Sequence, residues 1–339
     1  MYQTQNLQSY FTVIGHLRCQ LIIRHLNILF RCMRFLLLII YLLSALNLCG
    51  QAVDSFHLYG DVKITIDKPL INSHRRTIVV FFALPNGNST EQTMGKKMQA
   101  GDDWHFDIQH IRAQTEFIRS RISDKNFIVI YLENSFKSWP TWKQKHADFR
   151  LVIPKMIDSI TASMPGKKKE IYLNGHSGGG SFIFGYLAGV DQIPSQVSRI
   201  SFIDSDYGYD STYYPKIKDW LLHSSNAALT VFAYNDSIVV YNGKPLVSPT
   251  GGTWYRSHLL LSHLQRDFQL KESTTDSLSI WRSEKNKIQF IFKYNVDGGI
   301  YHTQQVELNG FIHSVLTGTK QENKGYEYYS RRAYTEYIR

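Results

Sequence analysis

The 339-residue chain is 43% hydrophobic and 19% charged, a composition that supports a large buried core and excludes a disordered chain. Its formal charge is +10, but no Lys/Arg cluster stands out beyond "GKKKE" at 166–170, so the balance argues for a basic surface and against a nucleic-acid groove. All three cysteines (Cys19, Cys32, Cys49) fall in the first 49 residues, which excludes a disulfide framework, a thiol nucleophile and a thiolate metal site from the body of the chain.

Residues 1–52 form an N-terminal extension with four arginines and no acid. From Met33, with Arg34 next, an apolar run from Phe35 to Leu43 leads to Gly50-Gln51-Ala52. A basic start, a short apolar core and small residues at the end predict a signal peptide with Met33 as the initiator. The run is shorter than the ~20 residues of a spanning helix; a membrane anchor over a longer apolar stretch is the competing reading. Cys49 does not fit a lipid-modified cysteine, because Leu48 before it is too large. The expectation is a secreted or periplasmic protein with no stable membrane span after cleavage.

Residues 53–339 show no repeat or long linker and read as one domain. "DVKITID" (61–67) alternates like a half-buried strand, whereas "RTIVVFFAL" (76–84) and "NFIVIYL" (126–132) are continuous apolar runs of strands covered on both faces. "HIRAQTEFIRSRI" (110–122) between them reads as a helix. Phe149, Val152, Ile153, Met156, Ile157 and Ile160 keep helical spacing, with Pro154 predicted to start or kink that helix. Strands follow at 170–174, 199–204 and 228–234, separated by helices at 181–190 and 211–224. The stretch 237–286, with some helix near 254–268, is a candidate lid or substrate wall. Late strands are predicted at 287–294 and 298–311, paired around "NVDGG". Strands alternating with helices predict an α/β fold, a doubly wound, mostly parallel sheet with an insertion before the last strands.

One segment carries chemistry. In "IYLNGHSGGGSF" (171–182) a strand runs into Gly175-His176-Ser177-Gly178-Gly179, and a helix follows. This fits G-x-S-x-G, a turn so tight that its serine is held in a strained backbone with the hydroxyl exposed at the carboxyl edge of the sheet. The N–H of Gly178, at the start of the helix, is placed to stabilise an oxyanion. A phosphate-cradling loop fits less well, since no Lys-Ser/Thr follows and the spacing is not G-x-G-x-x-G.

The segment resembles the nucleophile elbow of the α/β-hydrolase superfamily, and the strand order from about 61 to 313 is similar to that fold. The resemblance implies a Ser…Asp/Glu…His order, with the acid after a later strand and the histidine near the C-terminus. For the acid, Asp236 stands just beyond the strand 228–234, with Asp204 and Asp206 as rivals after the preceding strand. For the base, His313 in "NGFIHSVLTG" is preferred over His302, which strand alternation would turn toward a sheet face. His176, inside the elbow, reads as packing or substrate-facing. The second oxyanion donor falls in "FFALPNGNST", where Pro85 has no N–H and Asn86 or Gly87 is the candidate; the loop departs from the HGGG form of many lipases. His105 and His110 with Asp102 and Asp103 match no strong metal motif, and neither metal nor other cofactor is called for.

Aromatic residues make up 14% of the chain; the groups near Trp139/Trp142, Tyr207–Tyr214 and Tyr326–Tyr329 are candidate platforms for sugar or aryl rings. The sequence thus predicts an exported serine hydrolase acting on a small-molecule, carbohydrate or lipid ester. Amide or peptide cleavage by the same residues is the second expectation, and a non-catalytic, glycan-binding protein of this fold is the alternative from another class.

Overall fold

The computed structural model describes Arg31, residues 33–35 and residues 52–339. Apart from the short helical piece at 33–35, the expected signal peptide and all three cysteines lie outside the described residues. Ala52–Arg339 forms one compact unit, and among the described residues no helix is long and apolar enough to cross a membrane.

The strands are β1 (Ala52–Leu58), β2 (Val62–Lys68), β3 (Arg76–Ala83), β4 (Asn126–Asn134), β5 (Lys167–His176), β6 (Val197–Ile203), β7 (Ala228–Tyr234), β8 (Val240–Tyr241), β9 (Lys244–Pro245), β10 (Leu270–Thr274), β11 (Leu278–Ser283) and β12 (Ile288–Lys293). Ten of them make one sheet in the order β1-β2-β4-β3-β5-β6-β7-β12-β11-β10, while β8 and β9 form a small separate hairpin. The central run from β4 to β12 is parallel, and antiparallel pairs extend it at both edges. The fold class is therefore α/β, doubly wound and mostly parallel, as the alternation of apolar runs and helices predicts.

Strand β3 shows why both faces must be covered. Val79, Phe81 and Ala83 point into a core shared with Ile128 and Ile130 of β4, Ile153 and Ile157 of helix Phe149–Ser163, and Phe182 of helix Gly180–Gly189. Their neighbours Ile78, Val80 and Phe82 point into a second core with Ile111 and Phe117 of helix Ile111–Arg121 and with Phe311 and Ile312 of helix Gly310–Leu316. A side chain every two residues on opposite faces turns one apolar run into two cores. Pro154 lies well inside its helix and cannot bond the carbonyl four residues back. That carbonyl, of Arg150, is the group against which Gly189 packs at a distance no Cβ would permit.

Two expectations change. The segment 298–311 is not a strand: after a bend at 296–297 and Gly298 at φ 70°, the chain turns at 302–303 and forms helix Gln304–Glu307, then helix Gly310–Leu316, with Asn309 between them at φ 68°. The antiparallel partner of β12 is instead β11, from within the stretch expected to be a lid. That stretch contains the β8–β9 hairpin and helix Thr253–Leu264, and its later part, β10 and β11, widens the sheet.

The C-terminal tail then closes over the two short helices. The Asn309 amide donates to the carbonyls of Glu327 and Arg331 (2.7 and 2.9 Å). The Tyr328 and Tyr329 hydroxyls donate to Gln305 and Gln304 (2.6 and 2.8 Å). Arg332 pairs with Asp107 and Glu307. Residues 302–316 are thereby held from outside as well as packed from below.

Candidate active site

The parallel strands all deliver their carboxyl ends to one edge, where open α/β sheets bind ligands. Strand β5 ends at His176, and Ser177 follows at φ 55°. A non-glycine residue in the left-handed region carries backbone strain that the surroundings must hold in place. Here the hold is steric. A Cβ on Gly179 would run into the Ala83 carbonyl at the end of β3, and one on Gly180 into the Ser205 carbonyl beyond β6. Both obstacles are backbone and cannot swing aside, so the elbow is wedged between the two strands flanking β5. Gly180→Ala is expected to cost about 3 kcal/mol, the upper end for insertions into a packed site, as read by denaturant unfolding; a loss under about 1 kcal/mol would contradict this wedge.

The loop after β3 brings Asn86 over Gly178, where any side chain would collide with the Asn86 amide. The Gly87 N–H is already bonded to the Lys137 carbonyl (2.8 Å), which removes it as an oxyanion donor. The Asn86 N–H has no protein acceptor among the described residues. Asn86 and Gly178 thus stand side by side at the elbow.

His302 lies in the turn before helix Gln304–Glu307, not in a strand. Its Nδ1 is 2.5 Å from Oδ2 of Asp204, which follows β6 and is fully buried. Its ring stacks on that of His176, with centroids 4.5 Å apart, and its carbonyl accepts a hydrogen bond from His176 Nε2 (3.1 Å). Burial holds the His176 pKa well below the usual histidine value, with His302 adding to the effect. His176 is therefore a neutral ring that fixes both the backbone and the plane of His302 against the residue that precedes Ser177. Nothing in the residue order signals this role; it follows from the stacking alone. The Tyr207 ring also meets His302, edge-on with centroids 6.4 Å apart.

His313 is elsewhere. It is buried on helix Gly310–Leu316, with Nε2 3.1 Å from the Gln289 amide of β12 and Nδ1 3.3 Å from the Tyr326 hydroxyl. Gln289 is best oriented with its nitrogen toward His313 and its oxygen toward Arg282. Gln289 is the second residue of β12, near the amino edge of the sheet and away from the elbow. The preference for His313 as the base is corrected accordingly. Burial, with Arg282 and Arg199 nearby, pushes its pKa down to about 3, so it is a neutral core histidine.

Asp236 has another task as well. Its carboxylate accepts from the N–H groups of Thr253 (2.8 Å) and Trp254 (3.3 Å), capping helix Thr253–Leu264 from a distant part of the chain. The Thr253 hydroxyl donates to Asp204 and so joins the two acids. Asp206 accepts from the Ser257 hydroxyl on the same helix (2.8 Å). Burial and the neighbouring Asp204 push Asp236 up to about 6, and burial pushes Asp206 well above the carboxylate range. Three acids therefore share this corner without three full charges, and Asp204 is the one that meets the imidazole.

The remaining expectations resolve locally. His105 pairs with Asp103 (2.6 Å), His110 with Asp107 (2.7 Å) and Asp102 with Lys96 (2.6 Å). Among the described residues no three His, Cys, Asp or Glu side chains are grouped to hold a metal. Trp139 and Trp142 are core residues whose indole N–H groups bond the Leu132 carbonyl and Asp61. They are not ring platforms. Tyr209, Tyr326 and Tyr328 are buried too, whereas Tyr207 stands partly exposed beside His302.

No protein-family model matches the chain, and no curated protein matches it. Solved structures similar to it include a feruloyl esterase module from Clostridium thermocellum (11% identity, covering 82% of this chain and 91% of that one, TM-score 0.45). A siderophore hydrolase from Aspergillus nidulans is similar at 12% identity, covering 79% of this chain and 95% of that one, with a TM-score of 0.42. An S-formylglutathione hydrolase from Agrobacterium tumefaciens is similar at 9% identity, covering 78% and 92%, with a TM-score of 0.40. The fold class rests on the strand order of this chain itself.

Proposed function

We propose that this protein is an exported serine hydrolase that cleaves a carboxylic ester. The observation that carries the reading is the contact of His302 Nδ1 with buried Asp204, on a histidine stacked against the residue that precedes the strained Ser177. A serine hydroxyl is a weak nucleophile and needs a base oriented by a third group.

In this scheme the Ser177 Oγ attacks the acyl carbonyl as His302 Nε2 takes its proton. Asp204 holds the Nδ1–H and stabilises the imidazolium. The N–H groups of Gly178 and Asn86 receive the oxyanion. His302 then returns the proton to the leaving alkoxide, and the acyl group stays on Ser177. Water attacks this acyl-enzyme with His302 again as base, releasing the acid and restoring the serine. Tyr207 beside the base supports a substrate with a ring or other flat apolar group near the scissile bond.

A fluorophosphonate probe tests the reading. Labelling of the folded protein that disappears in Ser177→Ala supports it, and no labelling of the folded wild type refutes it. Hydrolysis of short- and long-chain aryl esters and acetylated sugars, compared with peptides, separates ester from amide cleavage. Export is tested by N-terminal sequencing of protein recovered outside the cytoplasm, expected to begin at Val53.

A further inference from the structure

At the opposite, amino edge of the sheet lies a cavity of about 290 Å³. Its wall takes residues from the starts of the central strands: Arg76 of β3, Glu170 and Tyr172 of β5, Ser198 and Arg199 of β6. Lys125 before β4, Lys285 and Lys287 in the β11–β12 turn, and Gly318 also line it, beside residues 225–228 at the start of β7. The strands separate this cavity from Ser177 by roughly 15–20 Å at ~3.3 Å per residue.

The charge there is one-sided. Glu170 is the single acid in the wall, and it is shared by Arg76 (3.6 Å) and Lys125 (3.4 Å). Arg199, Lys285 and Lys287 have no carboxylate partner among the described residues. Lys287 is steadied by the carbonyls of Leu221 and Ser224 (3.2 and 3.0 Å). Arg199 is the telling residue. It is only 6% exposed, its guanidinium lies over the Tyr172 ring, and its terminal nitrogens donate to the carbonyls of Ser314 (3.3 Å) and Thr317 (2.9 Å). Its Nε has no acceptor, nor has the buried hydroxyl of adjacent Ser198 any partner. A buried cation ordinarily has a counter-charge. This one has carbonyl dipoles, two further lysines and unmet donors.

We propose that the cavity is an anion site for an oxyanion of the phosphate class, borne either by free phosphate or by a small phosphorylated molecule. A guanidinium, two ammonium groups and a hydroxyl supply donors from several directions, which a tetrahedral dianion accepts better than a planar carboxylate does. The volume leaves room beyond one phosphate for the group that bears it. The site is separate from the proposed hydrolase chemistry and does not depend on it.

Calorimetric titration and thermal melting with inorganic phosphate, against sodium chloride at matched ionic strength, test the proposal. Phosphate is expected to bind and to raise the melting midpoint by several degrees above chloride. Lys285→Gln, in a surface turn, and Ser198→Ala, which keeps the core volume, are each expected to weaken phosphate binding about tenfold. Both variants keep wild-type fluorophosphonate labelling if that chemistry operates. Tighter binding of glycerol phosphate than of phosphate assigns the site to a phosphorylated molecule, and equal or weaker binding assigns it to the free ion. A phosphate response equal to that of chloride, or unchanged in both variants, overturns the site.

Discussion

Ser177→Ala and His302→Ala are each expected to lower ester turnover by about 10⁴–10⁶-fold, because residues that act as one unit fail together. Asp204→Asn should cost about 10³–10⁴-fold by presenting the wrong imidazole tautomer. Asp236→Asn and His313→Gln should stay within tenfold of wild type. The measurement is kcat on a soluble aryl ester, beside the fluorophosphonate labelling rate and a circular-dichroism check of folding. The contrast follows from position. Asp204 touches the imidazole, whereas Asp236 caps a helix, and His313 is bonded to Gln289 and Tyr326. A folded His302→Ala variant that still turns over, with His313→Gln inactive, would reverse the assignment.

The second large effect concerns folding rather than turnover. His313 is held neutral, its pKa pushed down to about 3 by burial and by Arg282 and Arg199, while in an unfolded chain it would titrate near 6.5. Below that value the unfolded chain binds a proton that the folded one refuses. Stability from this residue is therefore complete above about pH 6.5 and is lost as the pH falls toward 3, by on the order of 4–5 kcal/mol in total. Asp236 acts in the opposite sense. Its pKa is raised to about 6, so its contribution is present below the usual carboxylate value and is lost as the pH rises through 6. Comparing urea unfolding of wild type and His313→Gln from pH 7 to pH 4 isolates the histidine. The stability difference should shrink steadily with acid, and a constant difference would show that His313 is not buried in its neutral form.

Much of the sheet is readable directly from the residues. Runs such as Ile78–Phe82 and Phe127–Leu132 have no polar alternation because helices cover both faces. The elbow is readable for a related reason: Gly175, Gly179 and Gly180 answer to backbone contacts within a few residues of the strand ends. The histidine is not readable in this way. "GGIYHTQQVELNGF" alternates well enough to pass for a strand, but Gly298 and Asn309, both at positive φ, cut it into a turn and two short helices. Those helices are fixed by a tail twenty residues further on, through contacts between Asn309 and residues 327–331 that no local pattern announces. The acids are equally ambiguous in one dimension. Asp204 and Asp236 both stand just past buried strands, and only the long-range contacts, the Thr253 N–H on Asp236 and His302 on Asp204, distinguish the capping carboxylate from the one facing His302.

The tail that clasps residues 302–316 also has a bearing on timing. Ser177 and its glycines leave the ribosome well over a hundred residues before His302, and the tyrosines and Arg332 that secure the His302 segment come later still. A nascent chain that has released β1 to β7 already contains the Ser177 turn but not yet the proposed base, His302. Contacts this far apart in sequence form late and slowly. On the proposed function, reactivity should therefore switch on only when the final stretch has docked, so a chain shortened before Glu327 would carry Ser177 and His302 with the His302 segment unsecured.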